Sequence, residues 1–272
     1  TEEGSPQGGL ISPTYANLAL DGMEKLLLKK YSASSTGHIH PNYNKEKVHL
    51  CRYADDFIVT AKNRETLLEI QQMIEKFMEK RGLKLSDEKN VITNINDGFD
   101  FLGWNFRKFK GKLLIQPSKK SKQKVTKSLS RTVKYYHEAS QELLIIKLNQ
   151  IIRGWAEYHH CVCAKKTYAL IDHRLWGILW KWAKRRHPRK GRKWIKNRYW
   201  HPKGNREWSF RTDKAILYQM MDMPIVRIRS LNLKKNPFLD SEYFEHRRKQ
   251  HKKDKETAYL SSTAALSGYY AL

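Results

Sequence analysis

Cysteine is scarce in this chain, with three among 272 residues and no C-x-x-C spacing. An odd count without paired spacing argues against a disulfide framework. Long apolar runs are also lacking, so no segment is expected to span a bilayer. No basic-then-apolar leader opens the sequence, and the chain reads as soluble and intracellular. Thr1 stands where an initiator Met would be, so a longer parent protein is expected. Acid is the remaining shortage: 27 Asp+Glu face 53 Lys+Arg, a net charge of +26. An excess of that size points to a polyanionic partner, nucleic acid or an anionic membrane surface.

The shortage of acid is confined to one part of the chain. Residues 1–103 hold 13 basic and 15 acidic side chains, which leaves 40 and 12 for residues 104–272. A near-neutral chemical module followed by a polyanion-gripping module is the layout this implies. The stretch "HHCVCAKK" (159–166) contains two of the cysteines. On a helix Cys161 and Cys163 point to different sides, whereas chelation favours an i, i+3 or i+4 pair on one face. Ordinary helix residues, not a zinc site, are expected there.

What the near-neutral part does contain is "CRYADDFIVTAK" (51–62), two adjacent aspartates inside a run of β-formers. Strands avoid Asp, and neighbouring side chains on a strand point to opposite faces. A hairpin resolves the conflict, with strands at 48–53 and 57–61 and a turn at Ala54-Asp55-Asp56. Its tip is either a solvated turn or a metal site, since clustered carboxylates are the ligands that hard Mg²⁺ prefers.

Around the hairpin the pattern is mixed. A Gly/Pro loop opens into a helix from Ser12 as N-cap, with Pro13 at the first helical position and Leu18, Leu20, Met23, Leu26 and Leu27 as its stripe. Residues 32–47 read as an exposed, mobile loop. Leu67, Ile70, Ile74 and Phe77 predict an amphipathic helix lying on a sheet, with Asn63 as N-cap and Gly82 as the C′ residue. Strands follow at 91–95, in "FDFLGWNFRKF" and at 112–116, with a turn at Lys110-Gly111, and Gly103 suggests a bulge or close backbone approach. Beyond Pro117 helices dominate. One runs from Gln141 to Cys163 with Leu144, Leu148, Ile151, Trp155, Tyr158 and Val162 on one face, and another covers 167–186. Trp155 and Trp176 are expected in the core.

Residues 181–214 hold 14 Lys+Arg against 2 Asp+Glu, interleaved with Trp182, Trp194, Tyr199, Trp200, Trp208 and Phe210. Basic groups supply phosphate contacts and aromatic faces can stack on bases, although for any one Trp here a core role is the expectation. The candidate nucleic-acid contacts are Arg185, Arg186, Arg189, Lys190, Arg192, Lys193, Lys196 and Arg198. The charged run from Glu245 is expected to be extended or disordered.

Taken in order, these blocks resemble a known family. Tyr53-Ala54-Asp55-Asp56 between apolar strands is similar to the Y-x-D-D hairpin of reverse transcriptases. "SPQGGLISPTYAN" upstream, and "RGLKLSDEKN" and "FDFLGW" downstream, resemble the flanking blocks of that polymerase palm. "LNQIIRGWAEYH" and "LWKWAKRRHPRKGRKWI" resemble the thumb, or maturase, region of group II intron-encoded proteins. The resemblance implies an α+β fold: a partial right-hand palm, an antiparallel sheet with helices, over 1–116. It further implies a helical thumb or maturase bundle over 117–186, a basic nucleic-acid-binding region over 187–244, and a charged then low-complexity tail over 245–272.

The same resemblance implies template-directed DNA synthesis with two Mg²⁺ ions, Asp55 being a metal ligand and Asp56 its neighbour in the site. Gln7, Gly8 and Gly9 would line the incoming-nucleotide pocket together with Tyr53 and Ala54, and Lys89 would lie near the phosphates or primer. The family's remaining catalytic aspartate comes from a segment ahead of these blocks, so the chain by itself is not expected to polymerise. His246 and His251 lack the companions that an endonuclease metal site needs. The implied partners are group II intron RNA and a DNA target or primer-template in a ribonucleoprotein, with no membrane, in a prokaryotic cytoplasm or an organelle of prokaryotic origin. A splicing-only maturase is the alternative reading. A generic basic RNA- or DNA-binding protein is a third, and it leaves the palm-like blocks unexplained.

Overall fold

The structure, a computed structural model, describes residues 11–86, 90–204, 206–232 and 235–268, without the side chains of Pro13 and residues 261–268. Two units divide the chain, one ending at Asn94 and the other starting at Ile95.

In the first unit the expected leucine-rich helix is two. Helix α1 (Ser12–Ala19) starts one residue early, with Ile11 rather than Ser12 at the N-cap. Gly22, at φ +87°, breaks the run before α2 (Met23–Tyr31), a left-handed backbone that only glycine adopts without steric cost. Strands β1 (His49–Tyr53) and β2 (Asp56–Thr60) pair antiparallel, Tyr53 opposite Asp56. Helix α3 (Arg64–Glu79) is capped as expected, the Asn63 side chain accepting the Thr66 N–H at 2.8 Å. Its buried row is Thr66, Ile70, Ile74 and Met78, one residue every four, with Leu67 and Phe77 half-buried beside it. Leu20, Met23, Leu27 and Val48 complete this small core, and Leu50, Phe57 and Val59 of the hairpin pack on it. Gly82 is left-handed at φ +69°, two residues past the C-cap Lys80. Residues 32–47 are mostly exposed but held, by an Ala33–Ile39 bridge, a 3₁₀ turn at Pro41–Tyr43 and paired bonds between Asn44 and Val48.

No strand forms at 91–95, where one was expected and where the first unit gives way to the second; the Ile95 carbonyl accepts a bond from the Lys108 N–H. Strands β3 (Phe99–Phe101), β4 (Trp104–Phe109) and β5 (Lys112–Pro117) form an antiparallel meander. The β4–β5 turn is Lys110-Gly111 as expected, both residues at positive φ (+47° and +80°). "FDFLGWNF" is itself a hairpin, because Leu102 and Gly103 turn at φ +48° and +79°. Gly103 therefore marks a turn, not a bulge.

Ser118 then caps α4 (Lys119–Tyr135), accepting the Ser121 N–H at 3.1 Å. Helix α5 (Gln141–His159) ends four residues before Cys163, where the chain turns and the Cys163 N–H bonds the Ile115 carbonyl. Its buried row is Leu144, Ile145, Leu148, Ile152, Ala156 and His159, while Ile151 and Trp155 are half-buried and Tyr158 is exposed. Helix α6 (Lys165–Arg186) supplies Tyr168, Ile171, Leu175, Leu179 and Trp182 to the same core. Complete burial of residues such as Leu148 and Ile152 contributes about 1.5–3 kcal/mol each. Trp176, expected inside, is 38% exposed.

Beyond it come α7 (Arg192–Tyr199) and the hairpin of β6 (Trp200–Lys203) and β7 (Arg206–Phe210), closed on the core by Ile195, Trp200 and Phe210. The charged run expected to be extended is helical, α8 (Ser241–Gly268). It is anchored by Arg229 paired with Asp254, Lys255 with Glu157, and Arg247 donating to the carbonyls of Arg229 and Ser230. No helix among the described residues is long and apolar enough to cross a membrane.

Candidate active site and nucleic-acid interface

The β1–β2 hairpin carries its aspartates at the tip. Asp55 lies in the turn and Asp56 opens β2, so the second strand starts one residue earlier than the sequence suggested. Both carboxylates, and Tyr53 beside them, are exposed, and neither Asp is in an ion pair among the described residues. The tightness of the turn falls on Ala54, at φ +54°, a region L side chains rarely adopt. Arg52 braces it. Its guanidinium donates to the Ala54 carbonyl at 3.0 Å and to Asn17 Oδ1 of α1 at 2.8 Å. Sequence reasoning missed Arg52 and Asn17, because nothing local marks residues 35 positions apart as partners.

Chemically the tip offers two adjacent hard oxygen donors, the ligand type of Mg²⁺. They stand as a pair: no group of three or more His, Cys, Asp or Glu side chains suited to a metal occurs among the described residues. Gln7, Gly8, Gly9 and Lys89 lie outside the described residues.

At 159–166 the side chains serve packing. His159 is buried, accepting the Trp104 indole N–H on Nδ1 at 2.9 Å. That bond leaves the ring proton on Nε2, 3.1 Å from Ser121 Oγ, which also accepts the Trp155 indole N–H. Burial lowers the His159 pKa to about 4, so the ring is neutral at pH 7. β4, α4 and α5 are thereby tied together by one imidazole. Cys161 and Cys163 are free thiols, and burial raises the pKa of the first.

The basic candidates follow the C-terminal end of α6 into α7. Arg185, Arg186, Arg189, Lys190, Arg192, Lys193 and Arg198 are exposed and Lys196 is half-buried. None of the eight enters an ion pair among the described residues, so their charge is uncompensated locally. Arg186 differs from the rest. It donates to the His137 and Ala139 carbonyls at 2.9 and 2.8 Å and lies over the Trp182 ring, which makes it a brace of the fold.

Comparison with known proteins fits these two surfaces. A model of the reverse transcriptase (RNA-dependent DNA polymerase) family matches residues 1–106, and a group II intron maturase-specific domain model matches residues 119–200. Protein YkfC of Escherichia coli (strain K12) is 32% identical over 120 residues, covering 37% of this chain and 32% of YkfC. Group II intron-encoded protein LtrA of Lactococcus lactis subsp. cremoris is 28% identical over 156 residues, covering 39% of this chain and 26% of LtrA. The chain thus spans about a quarter to a third of the length of the curated relatives it matches. A reverse transcriptase match over the first part and a group II intron maturase-specific match over the second, in that order, support a group II intron reverse transcriptase/maturase.

Proposed function

We propose that this chain is the palm-to-maturase segment of a protein that copies RNA into DNA and assists the splicing of a group II intron. The observation that carries the reading is the exposed Tyr53-Ala54-Asp55-Asp56 tip, which lies inside the reverse transcriptase match. A hairpin that needed only to turn has no use for two adjacent uncompensated carboxylates. The polycationic helical unit that follows it in the chain supports the RNA-binding half of the proposal, since Lys and Arg free of ion pairs release counterions when they meet phosphates.

In this reading Asp55 is a metal ligand and Asp56 stands next to it. Their donor chemistry fits Mg²⁺, which reverse transcriptases generally use. When bound, that ion supplies charge stabilisation to the attacking and leaving oxygens of phosphoryl transfer. The chain's own residues do the positioning. Arg52 fixes the Ala54 carbonyl and so the direction in which the carboxylates point, while Tyr53 and Ala54, with Gln7, Gly8 and Gly9, would border the incoming nucleotide. Lys89 would face its phosphates or the primer. Two carboxylates fall short of a two-metal cage, so the segment alone is not expected to polymerise. Arg185, Arg189, Lys190, Arg192, Lys193, Lys196 and Arg198 would grip intron RNA.

The test places Asp55→Asn in a full-length reverse transcriptase bearing this segment. An amide keeps the turn but lacks the charge Mg²⁺ requires, so primer extension should fall to background while splicing assistance persists. Undiminished extension would reject Asp55 as a ligand, and a wild-type protein that splices but never extends would favour the splicing-only maturase.

A further inference from the structure

The tryptophans of the basic region divide into two kinds. Trp182 and Trp200 are buried, the expected core role, but Trp176, Trp194 and Trp208 are 38%, 39% and 42% exposed. Trp194 packs edge-on to His187, whereas Trp176 and Trp208 belong to one cluster. Trp176 and Trp180, one turn apart on α6, stack with centroids 5.6 Å apart and planes at 12°. Trp208 of β7 joins them, edge-on to Trp176 at 6.1 Å and tilted against Trp180 at 6.2 Å. Trp200 lies beneath, 5.3 Å from Trp180 and 5.2 Å from Phe210, and fixes the set to the core. Strand and helix therefore present a rigid aromatic surface with two of its rings open to solvent.

Its border is cationic. The Lys196 ammonium sits 5.3 Å from the Trp208 ring centroid. Along α6, exposed Lys184 follows Trp180 by four residues, a spacing that shares a helix face. An apolar π surface bordered by Lys196 and Lys184 disfavours a second copy of itself and suits an anionic partner with aromatic faces of its own. Bases within a duplex already stack on one another, so only unpaired ones can use such rings.

We propose that Trp176 and Trp208, set on Trp180 and Trp200, form a stacking platform for unpaired nucleotides of the intron RNA, with Lys196 and Lys184 placed for the adjoining phosphates. The choice of RNA rests on the maturase reading, since Trp176, Trp180, Lys184, Lys196 and Trp200 fall within the maturase-specific match.

The experiment titrates the full chain with a short unpaired RNA, with the same RNA annealed to its complement, and with structured intron RNA. Trp176→Ala/Trp208→Ala should weaken binding of the unpaired strand by about tenfold per base that loses its ring. Duplex affinity and the salt dependence should stay at wild-type values, because no cation is removed. Trp208→Phe and Trp208→Leu guard against a folding artefact: both keep apolar cover, but the phenyl ring should retain most of the affinity and the aliphatic chain should not. Equal losses on unpaired and duplex RNA, no loss at all, or self-association of the wild-type chain that the double substitution abolishes would each overturn the platform. If the wild-type chain binds structured intron RNA while the ring variants bind every RNA equally well, the platform alone fails. If the wild-type chain binds no RNA, the maturase reading fails with it.

Discussion

His159 is a residue whose protonation the fold opposes. In the unfolded chain its pKa is near 6.5, and in the fold it is about 4, because burial disfavours the charged ring and both ring nitrogens are occupied. Above pH 6.5 both states are neutral and its contribution is complete. As pH falls from 6.5 toward 4 the unfolded state takes up the proton first, and stability should drop by up to ~1.4 kcal/mol per pH unit. Asp172 acts with the opposite sign in the same window. Its carboxylate accepts the Met220 and Met221 N–H groups at 3.0 Å, yet burial raises its pKa from 3.8 to about 6. Stability linked to it is complete below pH 3.8 and is lost as pH rises to about 6. Urea unfolding from pH 7.5 to 4.5 should separate them. His159→Gln should flatten the acid-side decline, and Asp172→Asn should steepen it. Unaltered profiles in both variants would contradict the assigned directions.

Elements were legible wherever a local cause acts alone. Asn63 announces α3 because capping is a contact over three residues, and the 55–56 aspartates announce a hairpin because strands exclude them. Lys110-Gly111 turns as its composition says. The failures share a different origin. Leu102 adopts φ +48° against its own preference, held by pairing on both sides of the turn, so no turn signal is written there. Helix α8 is held by Arg229, Glu157 and the 229–230 carbonyls, all distant in sequence, and a charge run alone predicts the opposite. The exposed rings of Trp176 and Trp208 could not be told from buried Trp182 and Trp200 by spacing, since which face meets the β6–β7 hairpin is a tertiary fact. Gly98 offers a test at this scale. It sits at φ +84°, and an added Cβ would lie 3.0 Å from both Arg107 Cβ and the Phe106 carbonyl oxygen. Gly98→Ala should therefore destabilise the chain by more than ~1 kcal/mol in chemical denaturation, through strain and collision together.

Across the whole molecule the division of charge is the strongest functional signal, and the structure refines it. Of the cations that the sequence marks for RNA, Arg186 holds carbonyls and the Trp182 ring, so reversing it would damage the fold as well as the surface. Arg185, Lys190, Arg192 and Lys193 are exposed and lack ion pairs among the described residues, which makes them the cleaner set. The proposed function puts metal-binding carboxylates and an RNA-gripping surface in separate parts of one chain, so the two should be separable by substitution. A salt titration of binding to structured intron RNA separates them, run on the wild type, on Asp55→Asn and on the fourfold charge reversal of those cations. Asp55→Asn should keep wild-type affinity and slope. The reversal should bind more weakly, with the log–log slope reduced by about 0.7–0.9 for each phosphate no longer neutralised. An unchanged slope in the reversed protein, or a collapse of binding in Asp55→Asn, would refute that division of roles.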